Sequence, residues 1–456
     1  MFNVKEILRA TKGSLLQGKL SQKISGVFID SRNVKRGHLY IAIKGDRFDG
    51  HDFVNDVIKK SVSAVIVAKH ISFSKSHVAV IKVSDTKKAL GDLARYHRDR
   101  FRIPIMAITG SAGKTTTKEM IADVLSQKYC VLKNIATQNN NIGVPLTLLK
   151  LHKRHQAVVI ELGTNHFGEI KSLANIANPT VAVFTNIGDS HLEFLKSRAG
   201  VFKEKSDLRK GLKRGGTIIY NADDVFLSKL RKFSKKYRLI SCGIKNRSCF
   251  QGTNIGINDD LKLRFHVNQQ IFMLNSPAEH NVYNALTALA CGRLLNVPFD
   301  SIKKALKSFK FPEGRLLVRQ LGSIKVIDDT YNANPLSMAS AIKTLNFVNY
   351  RFQKVLVCGD MLELGKQSQR LHRLVGTLIA ATNIQRVIAV GAFAKIIHEE
   401  IQKRNKQITS YYYNNAEALC RDIHKHFHAQ DIVLIKGSRG MKMERVISAL
   451  KKNFQS

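Results

Sequence analysis

Short uninterrupted apolar runs alternate along this chain with stretches whose apolar positions recur every three or four residues. The first pattern predicts buried strands and the second predicts amphipathic helices. In residues 1–85 the runs are Gly26-Val27-Phe28-Ile29, Leu39-Tyr40-Ile41-Ala42-Ile43, Ala64-Val65-Ile66-Val67 and Val78-Ala79-Val80-Ile81. Residues 86–100 read as a connecting helix. From there strands and helices are expected to alternate to about residue 310. Ile105-Met106-Ala107-Ile108, Val158-Val159-Ile160 and Val181-Ala182-Val183-Phe184 have no polar interruption, as a parallel sheet covered on both faces requires. A charged stretch at 203–247 carries little periodic signal. Beyond Pro312 the pattern predicts strands at 324–328, 354–358, 386–390 and 431–435. It places helices near 336–346, 367–381, 392–404, 415–427 and 441–451. The fold class is α/β. It divides into a small α/β unit at 1–85, a central parallel-sheet unit at 86–310 and a doubly wound, Rossmann-like unit at 311–456.

Size agrees with that division, because 456 residues exceed what one core supports. No apolar run approaches the ~18 residues of a membrane span. Met1 to Glu6 reads as the start of a helix and lacks the apolar core of a signal peptide. Six Cys with no C-x-x-C spacing point to free thiols in a reducing cytoplasm. The net charge of +40 raises the question of a nucleic-acid partner. The excess is spread as +8, +21 and +11 over the three units, so it forms no single footprint. The densest part, Lys203 to Arg247, has no interleaved aromatic platform for stacking bases. A general surface bias that steers anionic substrates fits better than a specific nucleic-acid site.

The chemistry is concentrated in Thr109-Gly110-Ser111-Ala112-Gly113-Lys114-Thr115-Thr116-Thr117-Lys118. An apolar strand precedes this segment and a helical pattern follows it. Glycines let successive N–H groups face one anion, and the helix N-terminus adds positive potential. Lys114 is placed to reach outer phosphates and the Thr115 hydroxyl to hold Mg²⁺. The loop is the short G-x-x-G-K-T form, with Ile108 where the longer pattern has its first glycine.

Residues just past strand ends face the ligand cleft in such sheets. Glu161 and His191 are therefore candidates for Mg²⁺, although Mg²⁺ prefers oxygen. Taken alone, Glu161 equally caps a helix and His191 equally bonds a loop. Ala136 to Pro145 is rich in amides, and Asp328 to Pro335 gathers polar groups at a strand end. Each is a ligand site or a turn cluster.

These segments together resemble the Mur ligases, ATP-dependent amide-forming enzymes of bacterial peptidoglycan precursor synthesis. The matching stretches are 109–118, Asn139 to Pro145, Glu161 to His166 and Glu279 to Ala285. Asp328 to Pro335, Gly359 to Gly365 and Lys436 to Gly440 resemble the members that attach D-alanyl-D-alanine to UDP-N-acetylmuramoyl-tripeptide. Asp30-Ser31-Arg32 and Ala42 to His51 resemble the uridine-nucleotide domain.

The resemblance implies ATP and two Mg²⁺ ions as cofactors, with Gly110, Ser111, Ala112, Gly113, Lys114, Thr115 and Thr116 on the phosphates. It implies Asn281, Asn284, Arg315, Asp329 and Asn332 on the nucleotide. Thr115, Glu161, His191 and a CO₂-carbamylated lysine become metal ligands. Lys203 and Lys205 both lie in the stretch where that lysine belongs, and register favours Lys205. Lys114, His191 and Lys205 are then the catalytic set. Ser31, Arg32, Gly45, Arg47, Asn140 and Asn141 are the candidate substrate contacts. A cytoplasmic bacterial monomer is expected.

A rival within the family adds the third peptide residue, but the Asp-Asn-Pro-Arg string of diaminopimelate-adding members is missing. Residues 1–85 speak against a folylpolyglutamate synthetase. The lack of an Asn-Lys-x-Asp motif speaks against a GTPase.

Overall fold

The run Ile105–Thr109 becomes an inner strand of a seven-stranded, wholly parallel sheet. The computed structural model describes residues 1–72, 76–135, 138–258, 260–348 and 353–454. In space the sheet runs Phe250–Gln251, Arg238–Gly243, Thr217–Asn221, Val181–Phe184, Ile105–Thr109, Ala157–Glu161, Val131–Lys133. Alternate residues of this strand enter different cores. Ile105 and Ala107 pack with the helices Thr86–Arg98 and Glu169–Ala177. Met106 and Ile108 pack with Lys114–Ser126 and His280–Leu294 on the other face. Both faces are dry, which is why the strand carries no polar alternation.

The first unit has five strands in the order Ser14–Gln17, Ala79–Lys82, Ala64–Val67, His38–Ile41, Gly26–Phe28. Ser14–Gln17 pairs antiparallel and the others pair parallel. The chain starts as expected for a helix: Asn3 and Glu6 form a reciprocal cap on Val4–Thr11.

The last unit has six strands in the order Leu317–Leu321, Ile324–Asp329, Ile432–Lys436, Lys354–Gly359, Arg386–Val390, Thr409–Tyr413. All pair parallel except Leu317–Leu321. The helix Pro335–Phe347 starts on Asn334, whose side chain accepts from Ser337 N at 2.8 Å, with proline in the first turn.

Three expectations are corrected. The stretch 203–247 holds two sheet strands, Thr217–Asn221 and Arg238–Gly243, whose apolar cores are short beside their basic flanks. The alternation of strand and helix is interrupted by an antiparallel meander, Thr253–Ile257, Leu263–Val267 and Gln270–Leu274. The helix expected at 415–427 is two pieces, Ala416–Arg421 and Ile423–His426, broken at Asp422. Among the described residues no helix is long and apolar enough to cross a membrane.

Candidate active site

The loop Gly110–Gly113 leaves the carboxyl end of the strand Ile105–Thr109 and runs into the helix Lys114–Ser126. Two glycines are sterically required. A Cβ on Gly110 would stand 1.9 Å from Thr185 Oγ1, and Gly113 has φ 76° with its Cβ position 2.9 Å from Asn284 Oδ1. Neighbouring strand ends brace the loop. Ser111 N donates to Asn186 O at 3.0 Å, Ser111 Oγ to Gly188 O at 3.1 Å, and Ala112 N to Asn186 Oδ1 at 2.8 Å. Lys114 Nζ folds back to donate to Gly110 O at 2.9 Å. Burial pulls its ammonium below the usual lysine range, Glu161 opposes this and Arg315 adds to it.

Thr115 Oγ1 donates to Glu161 Oε2 at 2.7 Å, and Asn139 Nδ2 donates to Glu161 Oε1 at 2.8 Å. Glu161 is 2% exposed, and its hydrogen-bonding partners are neutral. A buried carboxylate held without an ion pair among the described residues is a seat for a cation. His191 stands on the next strand's exit, at the start of Leu192–Leu195. Its Nδ1 lies 2.8 Å from Glu363 Oε2 of the last unit. No group of three or more His, Cys, Asp or Glu stands ready for a metal among the described residues.

Lys205 and Lys203 separate cleanly. Lys205 is 1% exposed, and its amine is driven well below the lysine range by burial and then by the Lys114 charge, with Glu204 and Glu161 opposing. Among the described residues no carboxylate stands within ion-pair distance of it. Lys203 is exposed, with Nζ 5.8 Å from the Phe167 ring centre. The carboxylate of Glu204, between them, accepts from Gly168 N at 2.6 Å and Ile170 N at 2.7 Å, which fixes this helix against Glu169–Ala177.

A relay of amides leads from the loop helix to the helix His280–Leu294. Thr117 Oγ1 donates to Asn284 Oδ1 at 2.9 Å, Asn284 Nδ2 to Asn281 Oδ1 at 2.8 Å, and Asn281 Nδ2 to Ser276 Oγ at 2.8 Å. From the last unit, Asp329 Oδ2 accepts from Lys436 Nζ at 2.6 Å. Burial raises the Asp329 carboxyl, and Lys436 and Arg315 oppose that. Arg315 stacks 4.0 Å over the Tyr331 ring, and Asn332 Oδ1 accepts from Arg439 N at 3.3 Å.

A cavity of about 500 Å³ joins these groups. Ser111 to Thr116, Glu161, His191, Asn281, Asn284, Arg315, Asp329 and Asn332 line it, so one space draws on both the central and the last sheet. Gly110 and Lys205 stand behind its wall. Ser31, Arg32, Gly45 and Arg47 lie apart from it in the first unit. There Arg32 pairs with Asp30 at 2.7 Å, Ser31 O accepts from Lys60 Nζ at 2.8 Å, and Arg47 is exposed.

In the amide-rich segment Asn140 Oδ1 accepts from Ile142 N at 3.1 Å and Gly143 N at 2.9 Å in a turn before the helix Gly143–Leu148, and Asn141 is exposed. Asn139 is the residue at the cavity. Ala136 and Thr137 of that segment lie outside the described residues. The sequence reading gave no site role to Asn186, His280, Tyr331 and Lys436, which line the cavity. Lys436 ends its strand and Asn186 lies two residues past one, positions that could have drawn notice.

Known proteins resemble this chain from end to end. Residues 23–98 match the model of the Mur ligase family, catalytic domain; residues 108–292 match the Mur ligase middle domain; residues 300–439 match the Mur ligase, glutamate ligase domain. The chain is 34% identical over 451 residues to UDP-N-acetylmuramoyl-tripeptide–D-alanyl-D-alanine ligase of Bacillus subtilis, covering 98% of each chain. It is 35% identical to the enzyme of that name from Escherichia coli, covering 94% of each. A crystal structure of MurF from Acinetobacter baumannii superposes with a TM-score of 0.90 at 32% identity, covering 99% of each chain. The MurF ligase of Thermotoga maritima in complex with ADP superposes at 0.84 with 27% identity, covering 95% of this chain and 98% of that one. The phosphate loop, the shared cavity and these end-to-end matches carry one conclusion: the chain belongs to the Mur ligase family of ATP-dependent amide-bond-forming ligases.

Proposed function

We propose that this enzyme joins D-alanyl-D-alanine to UDP-N-acetylmuramoyl-tripeptide, and that it works as a cytoplasmic monomer. The observation that carries the reading is the single cavity shared by the phosphate loop and Glu161 on one sheet and by Asp329 and Asn332 on another.

A carboxylate is a poor electrophile and must be activated before an amine can displace anything from it. A terminal carboxylate oxygen of the tripeptide attacks the γ-phosphorus of ATP, and the bond to the bridging oxygen breaks to release ADP. The amine of D-alanyl-D-alanine then attacks the acyl carbon of the acyl phosphate. Inorganic phosphate leaves with the electron pair, and the amine gives up its proton. Two anions meet in the first step. Lys114, once turned from Gly110 O, and the loop N–H groups not already donating to Asn186 offset that repulsion at the phosphates. Asn281, Asn284 and Arg315 hold the nucleotide, with Asp329 and Asn332 approaching it from the other sheet. The acyl phosphate must be kept from water, and a site divided between two sheets does this by closing over it.

Thr115, Glu161 and His191 fit a divalent cation, which when bound neutralises phosphate charge. Lys205 fits carbamylation: burial favours the neutral form of its amine, which can add CO₂ and release a proton, giving an anion that suits a second cation. Ser31, Arg32, Gly45 and Arg47 are assigned to the uridine nucleotide.

The test is phosphate release from ATP in the presence of UDP-N-acetylmuramoyl-tripeptide, with and without D-alanyl-D-alanine, and mass spectrometry of the product. Dipeptide-dependent release with a pentapeptide product supports the reading. Release that ignores the dipeptide and yields no amide overturns it.

A further inference from the structure

His191 and Glu363 come from different sheets, and both have left-handed backbones, with φ of 51° and 62°. For residues that carry a side chain this conformation costs about 1 kcal/mol or more. The two side chains meet: His191 Nδ1 lies 2.8 Å from Glu363 Oε2. That nitrogen is closed off from solvent and has no aligned hydrogen bond, so Glu363 is its one close carboxylate among the described residues. The turn bearing Glu363 is braced from behind. Met361 N donates to His372 Nε2 at 3.0 Å, and Leu362 N to Ser438 Oγ at 2.8 Å. The same turn packs on the helix of His191, since a Cβ on Gly365 would stand 3.5 Å from Glu193 Cα.

We propose that Glu363 is a positioning residue for His191. A small turn of the ring lets its carboxylate accept the Nδ1 proton in a hydrogen bond, leaving Nε2 as the free lone pair of a ring that lines the cavity. A carboxylate on the far nitrogen of a ligating histidine fixes the tautomer and raises ligand basicity. Glu363 arrives on the last sheet, whereas His191 belongs to the central one. The histidine is thus fully oriented only when the two sheets are together, which ties cation binding to closure. The proposal rests on the ligase reading above, in which His191 holds a divalent cation.

A purely structural contact would act through closure alone, and a second bridge separates the two ideas. Lys343 Nζ pairs with Glu279 Oε1 at 2.8 Å across the same boundary without touching His191. The experiment is Mn²⁺ titration followed by electron paramagnetic resonance, on the full chain saturated with a non-hydrolysable ATP analogue. Glu363→Ala should weaken Mn²⁺ binding at least about tenfold and leave metal-free nucleotide affinity unchanged. Glu363→Gln should recover part of the loss, because its amide oxygen still accepts from Nδ1. Lys343→Ala should stay within about twofold of the unsubstituted chain. Unchanged Mn²⁺ binding in Glu363→Ala overturns the proposal, and so does an equal loss in Lys343→Ala. If the unsubstituted chain itself binds no Mn²⁺ beside the nucleotide, the cation-dependent reading fails first and takes this proposal with it.

Discussion

Lys205 and Lys203 stand two residues apart on the helix Arg198–Ser206 and face opposite ways, Lys205 into the protein beside Lys114 and Lys203 into solvent over Phe167. Two residues of helix turn the side chain by about 200°, so only one of the pair can serve the site.

Lys205→Ala should lower turnover by about a hundredfold or more, and acetate or formate should restore part of it by standing in for the carbamate. The same variant should unfold at higher temperature in magnesium-free, bicarbonate-free buffer. A lysine whose folded pKa lies below its unfolded value binds its proton more weakly when folded. It is therefore destabilising at neutral pH, and removing it removes that penalty. Lys203→Ala should keep activity within about twofold. Phosphate-release assays and thermal unfolding read both effects. If Lys203→Ala is the inactive, carboxylate-rescued variant, the carbamate belongs two residues earlier.

Thr115 Oγ1 is the sole hydroxyl donor to Glu161 among the described residues, and the two oxygens stand 2.7 Å apart. Thr115→Val keeps the shape and deletes the oxygen. Its turnover should fall by about two to three orders of magnitude, with a rise in the Mg²⁺ concentration needed for half-maximal rate. Thr115→Ser should retain most activity, and chelation of divalent cations should silence the unsubstituted enzyme. A Thr115→Val enzyme with an unaltered Mg²⁺ profile would take Thr115 out of the cation site.

The loop was legible because strand, glycines, lysine and helix are contiguous in sequence and each part has a local physical reason. Uninterrupted strands such as Val181–Phe184 and Arg386–Val390 were legible because burial on both faces leaves no polar position to confuse the signal. Thr409–Tyr413 escaped notice as an edge strand of Thr, Ser and Tyr that never enters the core fully. In the meander, Leu263, Phe265 and Val267 point inward while Arg264 is exposed, a period-two pattern lost among the surrounding turns. Asn139 was not singled out because three consecutive asparagines look alike until the fold shows that one of them reaches Glu161 while the next holds a local turn. Glu363 lies in the singled-out stretch Gly359 to Gly365, but nothing local pairs it with His191, which lies on another sheet.

Gly113→Ala should damage both stability and nucleotide binding. The residue has φ 76°, and the new methyl would stand 2.9 Å from Asn284 Oδ1, in the amide relay to Asn281. Left-handed strain alone should cost about 1–2 kcal/mol in chemical denaturation. Displacing Asn284 should also weaken ADP affinity several-fold in a binding titration. Stability and affinity equal to those of the unsubstituted chain would mean that the loop tolerates a side chain there.

His280 supplies the pH prediction. It lines the cavity, and its pKa is lowered to about 4, first by burial and then by Lys436 and Lys343. In the unfolded chain the imidazole titrates near its ordinary value of about 6.5. Between those two values the unfolded state binds the proton and the folded state refuses it, so stability falls as pH drops through this window and is unaffected above it. The ring is only partly buried at a cavity wall, so the effect should reach about 2 kcal/mol at most by pH 4. Urea denaturation of the ligand-free protein at pH 7.5 and pH 5 should show the unsubstituted chain losing more stability than His280→Gln. Parallel losses in the two proteins would mean that His280 takes its proton as readily folded as unfolded, and that the acid sensitivity comes from other groups.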